Sequence, residues 1–367
     1  MNDSKKWDQI VFEMSQRYAP FVDWQPIVDV DRLMQQSVQR YWRTPAEIVA
    51  QRPKNDLPLR GLRLVLDSGH IGGQWATEED REFRISENDF YVREGDLVLD
   101  VAQRAKERLT ALGATVTLLR EKAVPVSKKS PIDCLEQAVA QLPFPKEPSP
   151  DVCRDYAYAL RRKAVRWALV TEELTERARL VNHVIQPDAL ISMHMNAAAW
   201  PKHSTKTEMS KESVSYHREL VESNDLHVLI FGCMSLEELQ STDQQAQLAI
   251  KLNNGSGTVE RSLGNALATA LSKATHLPPA TYQGNNATLL DPDQPYLYAR
   301  NLLLLRMAEC PTVLLEPYIA NSMTDYARIQ SALATRARRQ VLAKDDILIE
   351  YADAVVAGIL DHYTHLG

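Results

Sequence analysis

Cysteine is scarce in this chain, which argues against a disulfide framework and against a zinc site built from thiolates. The 367 residues contain four cysteines, Cys134, Cys153, Cys233 and Cys310. They are too few and too scattered for a disulfide framework, although Cys134 and Cys153 could pair with each other. None of them forms a C-x-x-C pair, so the sequence argues against a thiolate zinc site.

Long apolar runs and a strong excess of one charge are also absent. No stretch approaches the roughly 20 apolar residues of a membrane span. The net charge is −6, with 44% hydrophobic and 25% charged residues, which is typical of a soluble globular protein and not of a nucleic-acid binder. The first 20 residues lack the apolar core of a signal peptide, so we expect either a cytosolic protein or one whose targeting segment has been removed.

The sequence does contain an alternation of strand-like and helix-like segments. We interpret residues 1–60 as an N-terminal extension and linker, with a helix predicted at 29–42. The apolar run LRLVLD, 62–67, predicts a buried parallel strand. Residues 95–113 place their apolar side chains on one helix face, and 114–120 predict a second strand. A strand, a helix and a strand with short connections form a βαβ unit.

The remainder of the chain continues this pattern around one insertion. Residues 121–150 contain many prolines and no clear period, so they are predicted to be irregular. Ser149-Pro150-Asp151 is a favourable helix start. The other predicted elements are a helix to about 185, strands at 187–196, 227–232 and 311–321, an exposed loop at 201–224, and a closing amphipathic helix. The fold class is therefore α/β: a mostly parallel twisted sheet with helices on both faces, plus a helical N-terminal extension and an insertion.

Three strand-like runs end in side chains that can bind metals or move protons. His70 follows LRLVLD, His194 follows DALISM, and Glu316 ends PTVLLE. Because the carboxyl ends of parallel strands meet at one edge of a sheet, these residues can converge. Each alone is more typical of an ordinary turn or strand-exit residue. Together with the glycine-rich loop SGHIGG, 68–73, they favour a functional site.

Two histidines and one carboxylate are a standard zinc ligand set that leaves a fourth position open. Glu316 could supply the carboxylate, or it could be the catalytic base while another acid binds the metal. Glu94 is the best placed of the other acids, because it directly precedes the βαβ helix near His70. Acids are concentrated in one segment, where most are expected to lie in a solvated loop: Glu78, Glu79, Asp80, Glu82, Glu87, Asp89, Glu94 and Asp96.

Four motifs in chain order resemble the zinc-dependent N-acetylmuramoyl-L-alanine amidases of the amidase-3 type. The family's D-P-G-H-G-G-like loop stands here as DSGHIGG, and its glutamate before a helix stands in EGDLVLDVA. Its R-x4-N helix and SIHANA match Arg177, Asn182 and SMHMNAA. Its closing P-x-V-L-V-E-x-G-F-x-S-N is matched in part by PTVLLEPYIAN. The resemblance covers about residues 61–120 and 171–366.

The resemblance implies zinc-dependent hydrolysis of the amide between N-acetylmuramic acid and L-alanine in peptidoglycan. It implies that His70, Glu94 and His194 hold Zn²⁺, that Glu316 is the catalytic acid/base, and that Asn196 orients the substrate. The catalytic domain would span 61–367, with the insertion at about 121–150. Since peptidoglycan lies outside the cytoplasmic membrane, a periplasmic or extracellular location is implied. The sequence does not identify an activator protein, and no nucleic-acid partner or membrane span is expected.

Departures from the family pattern keep two other functions open. Ser68 replaces a proline, Ile71 replaces a glycine, and residues 317–319 replace a small residue and a Gly-Phe pair. One alternative is a zinc hydrolase of another amide or peptide substrate. The other is a non-catalytic cell-wall-binding protein on the same fold. The presence of both histidines and both glutamates argues against the second, because a binding module needs no general base.

Overall fold

A seven-stranded mixed sheet forms the centre of the molecule. We analysed a computed structural model that describes residues 3–36, 38–201, 206–207, 215–216, 218–343 and 345–365. The strands are β1 (Arg63–Ser68), β2 (Glu82–Phe83), β3 (Val92–Arg93), β4 (Thr115–Leu118), β5 (Ala189–Met193), β6 (Lys206–Thr207), β7 (Ser215–Tyr216), β8 (Leu226–Phe231), β9 (Thr288–Leu289), β10 (Leu297–Arg300) and β11 (Thr312–Pro317).

The order of strands in the main sheet is β4-β1-β5-β11-β8-β10-β9. β4, β1, β5 and β11 are parallel to one another, whereas β8 is antiparallel to β11 and parallel to β10. β9 pairs with β10 in the antiparallel sense. The sheet is therefore mostly parallel, as the sequence predicted, and the carboxyl ends of β1, β5 and β11 share one edge.

Helices cover both faces of this sheet, which confirms the predicted α/β class. The α-helices are α1 (Asp3–Glu13), α2 (Val30–Met34), α3 (Pro45–Gln51), α4 (Glu94–Ala111), α5 (Leu135–Gln141), α6 (Pro150–Arg166), α7 (Glu173–Leu180), α8 (Leu236–Gln240), α9 (Thr242–Asn254), α10 (Ser256–Thr275), α11 (Leu303–Met307), α12 (Met323–Ala337) and α13 (Ile347–Thr364). Among the described residues, no helix has the combined length and apolar character needed to cross a membrane.

One face of the sheet packs against α4, α10, α12 and α13 in the largest apolar core. The opposite face is covered in two parts. The N-terminal segment packs Met14, Tyr18 and Trp24 against the β8, β10 and β11 side of the sheet. The helical stretch from α6 through α7 covers β1 and β5, with Ala178 and Val181 in that core. The predicted N-terminal extension thus shares a core with the sheet.

The predicted helix start at Ser149 is confirmed, because the Ser149 side chain accepts a hydrogen bond from the Val152 N–H and Pro150 opens the helix. This helical stretch reaches Ile185, as predicted. It is not regular throughout, because Trp167–Glu172 and Val181–Ile185 are π-helical. Its C-terminal half places Arg177 near the end of β1. The helical stretch therefore contributes a charged side chain there as well as covering the core.

Two predictions of local structure were wrong. The helix predicted at 29–42 is confined to α2, since Tyr41 and Trp42 leave the helical pattern to pack against the sheet. The insertion at 121–150 is not wholly irregular, because it contains a 3₁₀ turn followed by α5. This short helix buries little more than Ala138, so its sequence shows no apolar period.

The loop predicted at 201–224 lies partly outside the described residues. Within it, β6 and β7 pair as a short antiparallel ladder. The four cysteines are free thiols, and Cys134 and Cys153 are therefore not joined.

Candidate active site

Three polar side chains lie in one row across the sheet, at the edge where β5 and β11 end. The ladder that places Met193 opposite Leu315 sets the next residues, His194 and Glu316, side by side. On the other side of Glu316, the antiparallel ladder places His227 directly opposite. Side chains on one face of adjacent strands lie about 5 Å apart, so the three form a continuous polar row.

At the His194 end of this row, the side chains of His70 and Glu94 converge on His194. His70 Nε2 lies 3.2 Å from Glu94 Oε2, and His194 Nδ1 lies 3.0 Å from Glu94 Oε1. One ligand atom from each residue lies within 4.8 Å of the other two. The histidine rings are nearly perpendicular, at 85°, with centroids 5.2 Å apart. The structure therefore brings together the three residues that the sequence analysis named as ligands.

Glycines make this convergence possible at two points. A Cβ atom on Gly69 would lie within 2.5 Å of the His194 ring, so only glycine leaves room for that imidazole. Gly72 and Gly95 pack backbone to backbone, since a Cβ on Gly95 would lie 2.8 Å from the Gly72 Cα. This contact holds the start of α4, and with it Glu94, against the loop that carries His70.

The contacts between the converging groups shift the pKa values of Glu94 and His194 in opposite directions. Burial alone would raise the pKa of Glu94, but the charges of His70 and His194 outweigh it and lower the pKa to about 2. Burial disfavours a charged His194, yet its hydrogen bond with Glu94 and the charge of Glu316 raise its pKa to about 9. Both shifts favour a negatively charged Glu94 and a positively charged His194 when no metal ion is bound.

Glu316 has the properties of a proton-transfer group. Its Oε2 atom is buried and has no hydrogen-bond partner among the described residues. Burial raises the pKa of Glu316, and the charge of Glu94 adds to this effect against the opposing charge of His194. A buried carboxyl group with a free oxygen and a raised pKa can exchange a proton with a reactant more easily than a solvated one.

A buried ion network supports the loop below His70. The Arg177 guanidinium pairs with Asp67 at 2.9 Å and with Glu173 at 2.7 Å. It also donates to the backbone carbonyl of His70 at 2.9 Å. Ser192 completes the network by donating to Asp67 at 2.6 Å. The Arg177 of the R-x4-N motif therefore positions the first histidine rather than contacting the site directly.

Sequence reasoning missed Glu79, which was expected in a solvated loop. Its side chain is only 4% exposed, and Oε1 lies 3.3 Å from His70 Nδ1. The same carboxylate accepts hydrogen bonds from the Ile71 and Gly72 N–H groups. Burial would raise the pKa of Glu79, but its hydrogen bond with His70, the charge of His70 and the two backbone hydrogen bonds together lower it. Nothing in the local sequence distinguishes Glu79 from its acidic neighbours, because its burial depends on a loop closing over His70.

Two further residues border the site. Arg81 Nε lies 3.2 Å from His70 Nε2 and 3.6 Å from Glu94 Oε2, on a side chain that is half exposed. Asn196, expected to orient substrate, follows β5 two residues after His194. Its Oδ1 accepts a hydrogen bond from the Ala197 N–H at 2.8 Å, and its amide nitrogen has no bond among the described residues.

The donor set of His70, Glu94 and His194 fits a zinc ion. Two imidazole nitrogens and one carboxylate oxygen are ligands that Zn²⁺ accepts in catalytic sites, with a fourth position left for a reactant. The Glu79 contact to His70 Nδ1 is the kind of outer bond that orients a metal-binding imidazole. Among the described residues, Glu316 is not part of the group whose ligand atoms converge.

A comparison with family models matches residues 64–361 to the N-acetylmuramoyl-L-alanine amidase family. The chain belongs to this family. The match covers the main sheet from Leu64 onwards and includes His70, Glu94, His194 and Glu316. It makes the protein an amidase of the class that hydrolyses an amide bond of peptidoglycan, and it confirms the resemblance seen in the four sequence motifs. A comparison with curated proteins gave no significant match.

Several solved amidase structures are distantly similar to this chain. Ami1 from Mycobacterium smegmatis is 17% identical, with a TM-score of 0.44, over 84% of this chain and 99% of that chain. CwlD from Clostridioides difficile, in complex with the GerS lipoprotein, is 14% identical, with a TM-score of 0.43, over 82% and 98%. AmiC2 of Nostoc punctiforme is 14% identical, with a TM-score of 0.42, over 83% and 98%. The assignment to the amidases rests on the family match.

Proposed function

We propose that this amidase is zinc-dependent and cleaves the bond between N-acetylmuramic acid and L-alanine. His70, Glu94 and His194 hold the zinc ion, and Glu316 is the catalytic acid/base. The observation that carries this proposal is the convergence of the three donor groups within 4.8 Å, beside Glu316, whose buried Oε2 has no hydrogen-bond partner among the described residues.

When bound, zinc supplies a Lewis acid that polarises the scissile carbonyl and lowers the pKa of water. Glu316 takes a proton from the attacking water and returns it to the nitrogen of the leaving L-alanine. Its raised pKa suits both steps, since the carboxyl group must accept a proton and then release it. The products are a glycan strand and a free stem peptide.

The remaining expectations for the site and the chain are part of this proposal. Asn196 orients the substrate through its amide nitrogen, which has no hydrogen bond among the described residues. The catalytic domain spans 61–367 with the insertion at about 121–150, and 1–60 is an extension that completes its core through residues such as Met14. Because the substrate lies outside the cytoplasmic membrane, we expect the protein to act in the periplasm or at the cell surface.

Metal analysis of the purified protein tests the ligand assignment. We expect about one zinc per chain in the wild type and little or none in His70→Ala and His194→Ala, because each variant loses one of three ligands. Full occupancy in both variants would contradict the assignment.

Glu316→Gln tests the catalytic role separately from the metal. The variant should keep its zinc and lose hydrolysis, because an amide cannot accept and return the proton. An active Glu316→Gln enzyme would exclude Glu316 as the acid/base.

A further inference from the structure

Glu316 is flanked by histidines on both sides, and only one of them belongs to the metal-binding set. His194 follows β5 on one side, and His227 lies in β8 on the other. Glu316 and His227 are directly opposite in an antiparallel ladder, so their side chains stand on the same face about 5 Å apart. His227 therefore adjoins Glu316 on the side away from His70 and Glu94.

Glu316 and His227 each leave a buried polar atom without a partner. Glu316 Oε2 and His227 Nδ1 make no hydrogen bond to any described residue. Buried polar atoms in folded proteins are almost always bonded to protein or to water. A carboxylate oxygen accepts, and an imidazole nitrogen can donate, so the two atoms are chemically matched.

The surroundings of His227 hold its ring in place. Its ring meets Tyr282 edge to face, with centroids 5.5 Å apart, and Nδ1 lies 3.7 Å from Asp225 Oδ1. The titratable groups that interact electrostatically with Glu316 include His70, Glu94, His194, Tyr282 and Tyr351, and Asp225 lies beside His227. The ring is thus held by aromatic packing, and Asp225 Oδ1, like Glu316 Oε2, has no hydrogen-bond partner among the described residues.

We propose that His227 is a positioning residue that fixes the Glu316 carboxylate for proton transfer. It does so through one bridging water molecule that is hydrogen-bonded to both His227 Nδ1 and Glu316 Oε2. Among the described residues no direct hydrogen bond joins the two atoms, so a coupling between them needs a bridging group. A bridging group of this kind holds its partners nearly as well as a direct bond. The inference rests on the catalytic role proposed for Glu316.

Three substitutions of His227 separate its nitrogen chemistry from its packing. His227→Phe keeps the aromatic contact with Tyr282 and removes both nitrogens. His227→Asn places an amide nitrogen near the position of Nδ1, whereas His227→Gln places one near Nε2. We expect kcat to fall about tenfold or more in the Phe and Gln variants, with KM within twofold of wild type and zinc content unchanged. His227→Asn should recover most of the lost kcat.

His362→Phe is the matched control. His362 is also a buried histidine with a nitrogen that has no partner among the described residues, and its ring packs edge to face on Tyr363 at 4.7 Å. It lies in α13, away from the row of polar side chains. Its replacement should leave kcat, KM and zinc content at wild-type values.

Infrared spectroscopy gives a second readout that does not depend on activity. The carboxylate band of Glu316 is assigned from the difference between the wild type and Glu316→Gln. This band should shift in His227→Phe and stay in place in His362→Phe. If the wild type releases no peptide from peptidoglycan, the proposed function fails, while the band still tests the coupling of His227 to Glu316.

An unshifted band together with a kcat within twofold of wild type in His227→Phe would overturn the inference. If that variant does not fold, the Asn and Gln variants decide, because equal kcat values in the two would show that the nitrogen position is irrelevant.

Discussion

Removal of Glu79 tests whether the bond to His70 Nδ1 is needed for metal binding. The Glu79 carboxylate lies 3.3 Å from His70 Nδ1, and it accepts the Ile71 N–H at 3.0 Å and the Gly72 N–H at 3.2 Å. Glu79→Ala removes all three contacts at once. His70 then loses the group that fixes its ring orientation, and two backbone donors lose their acceptor.

The expected loss follows from these contacts. Outer bonds to metal-binding histidines are typically worth about 10–100-fold in metal affinity, which is about 1.4–2.7 kcal/mol. Each of the two backbone donors left unpaired adds a loss of stability of about 1–3 kcal/mol. The zinc dissociation constant is measured by competition with a chelator of known affinity, and stability is measured by urea unfolding of the metal-free protein.

Glu78→Ala is the control, because Glu78 carries the same charge one residue earlier. Its side chain is 37% exposed and pairs with Arg161 at the surface. This substitution should leave the zinc dissociation constant unchanged. A Glu79→Ala protein that binds zinc within twofold of wild type would refute the positioning role of Glu79.

Three further predictions concern the proton on His194, the buried ion pairs of Arg177 and the space between Gly69 and the His194 ring. His194 holds a proton below its raised pKa of about 9, and zinc must displace that proton to bind. The zinc dissociation constant should therefore fall up to about tenfold per pH unit between about pH 6 and about pH 8. A dissociation constant that does not change with pH, measured by chelator competition, would contradict this. Arg177→Met leaves Asp67 and Glu173 unpaired and should lower the free energy of unfolding by about 3–5 kcal/mol. The exposed Arg179→Met is its control and should change stability by less than about 0.5 kcal/mol in the same urea titration. Gly69→Ala forces a methyl group against the His194 ring and should weaken zinc binding by about tenfold or more, and a variant that binds as tightly as wild type would show that the ring can move.

The fold could be predicted where local patterns and packing agree. β1, α4 and β4 appear in the sequence as two apolar runs around one amphipathic helix, and the structure contains all three elements. Patterns failed where tertiary contacts decide the conformation. Trp42 is part of an apparently helical run, but it lies outside any helix and is buried against the sheet, and no local signal shows this.

The site was predictable where a residue ends a strand or begins a helix. His70, His194 and Glu316 follow apolar runs, and Glu94 opens α4, so topology alone brings them to one edge. Glu79 and His227 were not identified, for different reasons. Glu79 reaches the site through the closure of a loop. His227 reaches it because β8 runs antiparallel to β11, a pairing that the strand pattern does not reveal.

Digestion of purified peptidoglycan tests the central claim most directly. Wild-type protein loaded with zinc and the Glu316→Gln variant are incubated with the same substrate, and the soluble products are identified by mass spectrometry. The wild type should release stem peptides with L-alanine at the amino terminus, and Glu316→Gln should release none while retaining its zinc. Products cut at any other bond, or no products from the zinc-loaded wild type, would contradict the proposed activity.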